Sequence, residues 1–293
     1  MVRPAHVRRP LVGTLAALLL GATAALGGAT PASAAAPAAP GTAAPAPAVD
    51  APDFEGIVAL SNCSGAVVRM PHSTPQDPAL VLTNGHCLEA GMPEPGVVVV
   101  DEPSNRTFTL LDAVGGNLAT LRATRIAYAT MTGTDVALYE LTRTYEDIDD
   151  RWGIEPLEVD SARSTEGTPI NVVSGYWKRV YTCELDGFVH ELHEGGWVMK
   201  DSLRYTAACD TIGGTSGSPV VDTATGKVVG VNNTGNNGGR PCILNNPCEV
   251  DENGGVTARP GINYGQQTHE LTRCTTVGNK IDLDLPGCGL ARP

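Results

Sequence analysis

The stretch Gly213-Gly214-Thr215-Ser216-Gly217-Ser218-Pro219 places Ser216 in a glycine-flanked turn directly before the apolar run Pro219-Val220-Val221. Glycine permits close backbone approaches that a β-carbon forbids, so N–H groups in such a turn can reach an incoming carbonyl oxygen. Turns rich in glycine and serine are common in proteins, and this one becomes informative only together with two earlier segments of the chain.

Those two segments are Leu82-Thr83-Asn84-Gly85-His86-Cys87 and Gly133-Thr134-Asp135-Val136-Ala137-Leu138. Taken singly, a histidine beside a cysteine or an aspartate after Gly-Thr has an ordinary structural explanation. Taken together with Ser216, they give histidine, aspartate and serine in the chain order that resembles the chymotrypsin-like, or trypsin-fold, serine peptidases. The pattern Gly-x-Ser-Gly-Ser-Pro is similar to secreted bacterial, glutamyl-endopeptidase-like members rather than to digestive trypsins.

The resemblance implies a catalytic role for each of the three residues. A serine hydroxyl is a weak nucleophile and needs a base within hydrogen-bond reach. His86 would be general base and then general acid, Asp135 would orient its imidazole, and Ser216 would form an acyl-enzyme. The backbone N–H groups of Gly214 and Ser216 would bind the oxyanion.

The turn around the serine departs from the digestive enzymes at one position. Thr215 stands where they carry an aspartate that pairs with a newly freed N-terminus, so the suggestive Ile57-Val58 pair does not predict a zymogen switch of that type. We expect Gly213 and Gly217 to keep side chains out of the turn.

Short apolar or alternating runs, separated by clusters of Gly, Pro, Asn and Asp, recur through the chain, and few segments have helical periodicity. This pattern predicts an all-β protein, either an antiparallel barrel or a sandwich. The resemblance implies two packed antiparallel six-stranded β-barrels with the active site between them. Barrel one would span about 53–150, barrel two about 151–270, and a disulfide-bonded tail 271–293.

The N-terminal region has the features of an export signal. Basic residues precede an apolar run from Leu11 to Leu26, and Ala32-Ser33-Ala34 fits a cleavage site, so residues 1–34 are predicted to be a signal peptide. Residues 35–52 are rich in alanine and proline and predict a linker or short pro-segment. We therefore expect a secreted, extracellular protein whose folded part is 53–293.

Charge restricts the partners of the chain. Its 32 acidic and 20 basic residues give a formal net charge of −12, and three of the basic residues lie in the predicted signal peptide. Such an acidic protein is unsuited to nucleic acid or to an anionic membrane surface. We expect polypeptide substrates, a monomer, no cofactor and no catalytic metal. His190-Glu191-Leu192-His193-Glu194 lacks the second histidine that a zinc-protease helix requires at its last position.

Eight cysteines in an exported chain predict up to four disulfides. We expect Cys63–Cys87 to fix the segment around His86, and Cys183–Cys209 to brace the loop that leads into Ser216. Proximity in sequence suggests the pairs Cys242–Cys248 and Cys274–Cys288. The pairing of these last four stays open, because eight cysteines allow 105 connectivities.

Three residues are candidates for substrate binding. Asp210 lies six residues before Ser216, where trypsin-like members carry an acid that attracts Lys or Arg. Thr211 matches a hydroxyl that glutamate-specific members use to bind a substrate carboxylate, but Asn232 stands where those members have a histidine. Basic, acidic and broad preference therefore remain open.

Two other classes of function also remain open. One is a secreted binding module that keeps the protease fold without turnover, and the other is an esterase-type hydrolase that uses the same three residues. The strand–turn–helix Gly-x-Ser-x-Gly turn of α/β-hydrolases is missing at Ser216, and the order of the three residues differs from theirs.

Overall fold

The computed structural model describes residues 54–293. The predicted signal peptide, 1–34, and the predicted linker, 35–52, lie outside these described residues and stay predictions. Within the described part of the chain, no helix is both long and apolar enough to cross a bilayer.

The first half of the described chain forms a closed barrel. Its strands are β1 (Ile57–Ala59), β2 (Ser64–Arg69), β3 (Pro78–Thr83), β4 (Val98–Pro103), β5 (Thr107–Leu111), β6 (Asn117–Thr130), β7 (Val136–Thr144) and β8 (Leu157–Glu158). Six of them pair in the order β1-β5-β6-β7-β3-β2, and β2 pairs again with β1, so the antiparallel circuit closes. β4 joins β6 outside this circuit, and β8 runs parallel to β2.

The second half forms another closed barrel. Its strands are β9 (Pro169–Ser174), β10 (Arg179–Glu194), β11 (Trp197–Tyr205), β12 (Pro219–Asp222), β13 (Val228–Gly235), β14 (Cys248–Val250), β15 (Val256–Thr257) and β16 (Asn263–Gln267). The closed circuit is β9-β10-β11-β16-β13-β12, while β14 extends β10 and β15 extends β14. The predicted architecture of two six-stranded antiparallel barrels is therefore confirmed.

Period-two burial explains why these segments become strands. Along the first half of β10 the odd-numbered residues from Tyr181 to Val189 are buried, and most of the residues between them are exposed. Successive side chains of a strand point to opposite faces, so one face enters the core while the other meets water.

Clusters of buried apolar residues hold the barrels together. Val67, Val81 and Phe108 are among the buried residues that fill the first barrel, and Val172 and Leu203 are among those that fill the second. A third cluster joins residues of both halves, including Leu80, Leu82, Val173 and Val221. Burying each such side chain contributes about 1.5–3 kcal/mol, so the third cluster fixes one barrel against the other.

Two short helices and a small hairpin complete the described chain. Helix α1 (Tyr145–Trp152) begins with a capping box between Thr144 and Asp147 and ends at Gly153 in the left-handed region. It follows the last circuit strand of the first barrel and leads into the connection between the barrels.

The end of the chain returns to the first barrel. It comprises α2 (His269–Arg273) and the hairpin of β17 (Thr275–Thr276) with β18 (Lys280–Ile281). Asn279 donates to the Tyr145 hydroxyl at 3.0 Å, and the Tyr128 hydroxyl donates to the Ala291 carbonyl at 3.0 Å. The C-terminal segment therefore bridges elements that are far apart in sequence.

Four disulfides cross-link the described residues, and every cysteine there is paired. The pairs are the expected ones: Cys63–Cys87, Cys183–Cys209, Cys242–Cys248 and Cys274–Cys288.

Candidate active site

His86 and Asp135 meet because two neighbouring strands bring them together. β3 and β7 pair antiparallel, with Thr83 opposite Ala137, so the end of β3 lies beside the start of β7. His86 Nδ1 lies 2.6 Å from Asp135 Oδ2, and the His86 backbone N–H donates to Asp135 Oδ1 at 3.0 Å. Asn84 donates to the Asp135 carbonyl at 2.7 Å, which fixes the backbone of the aspartate as well.

The local sequence forces the position of the histidine. Gly85 to Cys87 forms a single 3-10 turn. A β-carbon at Gly85 would lie 2.2 Å from the Thr130 carbonyl oxygen, so only glycine allows this approach. The Cys63–Cys87 disulfide ties the same turn to the residue just before β2. The turn that carries the imidazole is thus constrained before His86 by the close approach at Gly85 and after it by the disulfide at Cys87.

The electrostatic surroundings favour a charged imidazole. Burial disfavours the charged form of His86, but the charge and hydrogen bond of Asp135, together with the charge of Glu194, raise the pKa of His86 above its ordinary value. An imidazole stabilised in this way can take up a proton and hold it beside the carboxylate.

Ser216 lies in the loop between β11 and β12, close to the first barrel. Gly217 follows it with a φ of +80°, and a β-carbon there would lie 2.1 Å from the Ser64 carbonyl oxygen. Glycine at this position is therefore required by both conformation and space. Gly213 differs from the expectation, because a β-carbon there would meet nothing within 4 Å.

The hydroxyl of Ser216 donates to the Asn233 carbonyl at 3.3 Å. Among the described residues it makes no hydrogen bond with His86, although both side chains line the same cavity of about 90 Å³. Catalytic hydrogen bonds in free enzymes are often long or misaligned and tighten when substrate binds, so this geometry is compatible with an attacking serine.

Two backbone N–H groups at the serine turn lack an acceptor within the described chain. The N–H groups of Gly214 and Ser216 have no hydrogen-bond acceptor among residues 54–293. Their neighbours are held firmly, since the Trp177 indole N–H donates to the Gly213 carbonyl at 2.8 Å and the Thr215 N–H donates to Ile212 at 3.0 Å. A braced loop with two free N–H groups can receive a negatively charged oxygen.

The expected substrate-binding residues are only partly brought together. Thr211 and Asn232 line the cavity with Ser216, whereas Asp210 is exposed and is not part of the lining. The Asn232 side-chain amide donates to the carbonyl and hydroxyl oxygens of Thr215 at 3.2 and 3.1 Å, so it braces the serine loop.

Sequence reasoning missed Glu194 as a cavity residue. The stretch His190–Glu194, compared above with a zinc-protease helix, lies in strand β10, and its final glutamate is only 8% exposed and lines the cavity beside His86. Burial raises the pKa of the Glu194 carboxyl, while hydrogen bonds from Asn245 and Thr234 oppose the rise. The available signal was that Glu194 shares a strand face with the apolar Leu192.

A cluster of sulfur and nitrogen atoms beside the site has a covalent explanation. Cys63, His86 and Cys87 place potential metal-ligating atoms within 4.8 Å of one another. Both sulfurs are joined in a disulfide, and a metal ligand would need them as thiolates.

Comparison with known protein families gives a match for this chain. The family described as trypsin-like peptidase domain matches residues 63–231. No curated protein matches the chain.

Solved structures with similar folds come from several bacteria. The active form of the Rv3671c protease from M. tuberculosis has 16% identity and a TM-score of 0.47, covering 84% of this chain and 86% of that chain. The MamO protease domain from Magnetospirillum magneticum has 15% identity and a TM-score of 0.45, with 74% and 93% covered. Nocardiopsis protease has 12% identity and a TM-score of 0.40, with 73% and 92% covered.

Proposed function

Because this chain belongs to the trypsin-like peptidase domain family, we propose that it is a serine endopeptidase that hydrolyses peptide bonds through an acyl-enzyme on Ser216. The trypsin-like fold supports protease function and polypeptide substrates. In the proposal His86 is the general base and acid, Asp135 orients it, and the N–H groups of Gly214 and Ser216 hold the oxyanion.

One observation carries the proposal. The imidazole of His86 lies 2.6 Å from the buried carboxylate of Asp135, on the wall of the cavity that Ser216 also lines. With Nδ1 engaged by the carboxylate, the other ring nitrogen, Nε2, is the one left to exchange protons with a nucleophile.

The proposed reaction proceeds in two proton-balanced halves. Ser216 Oγ turns from the Asn233 carbonyl to His86 Nε2, gives its proton to that nitrogen and attacks the peptide carbonyl carbon. The tetrahedral oxyanion accepts hydrogen bonds from the two free N–H groups, and His86 then protonates the departing amine. Water repeats the sequence on the acyl-enzyme, returning the proton to Ser216 and releasing the acid.

The hydrogen bonds within the serine loop support an active enzyme that needs no newly freed N-terminus. The Thr215 hydroxyl donates to the Ile212 carbonyl at 2.6 Å, and the Asn232 amide completes the brace. Ile57 is the residue that a trypsin-type switch would free. It lies in β1, where it pairs with Ala66 of β2. We propose that the loop forms with the chain intact at Ile57.

Secretion is part of the same proposal. Four disulfides are consistent with an oxidising compartment. The export signal itself lies outside the described residues, and the secreted bacterial, glutamyl-endopeptidase-like branch rests on the Gly-x-Ser-Gly-Ser-Pro sequence alone.

Hydrolysis of an unstructured protein by the purified chain tests the proposal. Ser216→Ala and His86→Ala should each reduce turnover by several orders of magnitude while the fold is kept. Ser218→Ala is the matched control, because its buried hydroxyl has no hydrogen-bond partner among the described residues. Turnover by Ser216→Ala at the wild-type rate would disprove the mechanism, and binding of peptides without any turnover by the wild type would favour a binding module.

A further inference from the structure

Glu194 differs from the other buried carboxylates of the described chain. Residues 54–293 contain three buried acidic side chains: Asp135, Glu140 and Glu194. Asp135 faces the imidazole of His86, and Glu140 pairs with Lys280 at 2.5 Å and with Arg125 at 3.4 Å. Glu194 has no cation within ion-pair distance in the same part of the chain, and the charge of His86 acts on it only when that imidazole is protonated. A buried carboxylate without a cationic partner is costly, unless a partner arrives from outside.

The carboxylate is held in place rather than free to move. Glu194 Oε1 accepts hydrogen bonds from the Asn245 backbone N–H at 2.7 Å and from the Thr234 hydroxyl at 3.0 Å. Its backbone is opposite Trp197 in the β10–β11 hairpin, and the Trp197 indole N–H donates to the Pro93 carbonyl at 2.8 Å. Oε2 receives no hydrogen bond from the described residues, which leaves one oxygen of a fixed carboxylate for a ligand.

The walls around Glu194 suit a long side chain with a charged end. Met92, Met131 and Leu244 line the same cavity and offer apolar surface. Lysine and arginine bury their aliphatic stems along apolar surface and place the charged head at a polar group. A fixed carboxylate in a cavity that also offers these three apolar side chains fits that combination.

We propose that Glu194 determines substrate specificity: its carboxylate binds the Lys or Arg side chain of a peptide held beside Ser216. The cationic residue must lie within one side chain's reach of the cleaved bond, since Glu194 and Ser216 line one cavity. This inference rests on the proposed function, and it assigns basic preference to Glu194 instead of Asp210, which is exposed and lies outside the lining.

Matched peptides measure this preference directly. Fluorogenic peptides that contain arginine, or its uncharged isostere citrulline, at one position at a time are compared by kcat/KM. We expect the wild type to prefer arginine by about ten- to hundred-fold at one position near the cleaved bond, the range for a hydrogen bond to a charged group. In Glu194→Gln this ratio should fall to near one.

Two further variants separate Glu194 from other acids. Glu191→Gln removes another carboxylate of the same strand. Glu191 pairs with His193 and Lys200, and it does not line the cavity. Asp210→Asn removes the carboxylate expected from sequence. The arginine-to-citrulline ratio should stay at the wild-type value in both. A ratio lost in Asp210→Asn and kept in Glu194→Gln would overturn the proposal, as would a wild-type ratio of one.

Binding by the Ser216→Ala protein keeps the inference separate from catalysis. Fluorescence anisotropy with the same two peptides should show tighter binding of the arginine peptide, and the double variant Ser216→Ala/Glu194→Gln should lose the difference. Preferential binding without wild-type turnover would contradict only the proposed function, whereas turnover without preference would contradict only this inference. If Glu194→Gln does not fold, Glu194→Asp keeps the charge but shortens its reach, and an unchanged ratio there would count against the proposal.

Discussion

The backbone N–H of Ser64 donates a 2.7 Å hydrogen bond to the backbone carbonyl of Ser216. Ser64 begins β2 of the first barrel, and Ser216 lies in a loop of the second. The bond therefore fixes the position of the candidate nucleophile relative to the barrel that carries His86 and Asp135. The side chain of Ser64 adds a second link, because its hydroxyl donates to the Gly214 carbonyl at 3.2 Å.

This close contact predicts that Gly217→Ala is severely destabilising. The new β-carbon would meet the Ser64 carbonyl oxygen at 2.1 Å, at a φ of +80°. Left-handed conformation alone costs about 1–2 kcal/mol for a residue with a β-carbon, and the clash adds to it. Gly213→Ala is the control, since open space surrounds that position. Thermal unfolding should show a much larger loss for Gly217→Ala, and equal melting temperatures would contradict the account of this loop.

The pH dependence of kcat/KM should reflect the surroundings of His86. In the proposed mechanism the neutral imidazole is the base, so activity should fall as the pH drops through the pKa of His86, which lies above its ordinary value of about 6.5. The charge of Glu194 contributes to that rise, so Glu194→Gln should move the acidic limb to lower pH. Profiles from pH 5 to 9 with an uncharged peptide measure the shift. A limb that stays in place, or moves as far in Glu191→Gln, would refute the electrostatic coupling.

Trp177 should affect kcat through the serine loop. Its indole N–H donates to the Gly213 carbonyl at 2.8 Å, which fixes the peptide unit that carries the Gly214 N–H. Trp177→Phe removes this donor and keeps an aromatic ring, so we expect kcat to fall about five- to tenfold, the value of one hydrogen bond, with little change in KM. Tyr176→Phe is the control on the neighbouring exposed ring. The same kcat in both variants would remove Trp177 from this role.

The disulfide beside the histidine should stabilise the protein more than a disulfide that closes a short loop elsewhere. Cys63–Cys87 closes a separation of 24 residues, and Cys242–Cys248 closes one of 6. Removing the first by the double change to serine should lower the free energy of unfolding by about 2–5 kcal/mol and slow turnover, because the turn that holds His86 is released. Removing the second should cost less. Equal melting temperatures for the two double variants would speak against this role.

The sequence predicted those parts of the molecule that depend on short-range patterns. Alternating apolar and polar residues, as in the first half of β10, predict strands, and the glycines around Ser216 predict a tight turn there. His86 and Asp135 could be paired because each flanks a strand-like run in a recognisable chain order. Such features can be predicted because they depend on the order and spacing of residues along the sequence.

The remaining features depend on contacts that no local pattern reveals. Glu194 lines the cavity from the β10–β11 hairpin, whose Trp197 donates to the Pro93 carbonyl, a contact between residues 104 positions apart. The resemblance to trypsin-like members implied a substrate-binding role for Asp210, six residues before Ser216, but the direction of its side chain depends on the path of the loop. The brace from Trp177 to Gly213 likewise joins two loops that only the folded barrels bring together.

In the proposed mechanism, Ser216 is a nucleophile that the folded protein activates. Treating the purified chain with a fluorophosphonate probe and locating the adduct by mass spectrometry is a direct measurement of this claim. We expect a single adduct on Ser216 that is lost after heat unfolding and greatly reduced in His86→Ala. A folded protein that stays unlabelled, or that is labelled on another residue while Ser216 stays free, would contradict the claim.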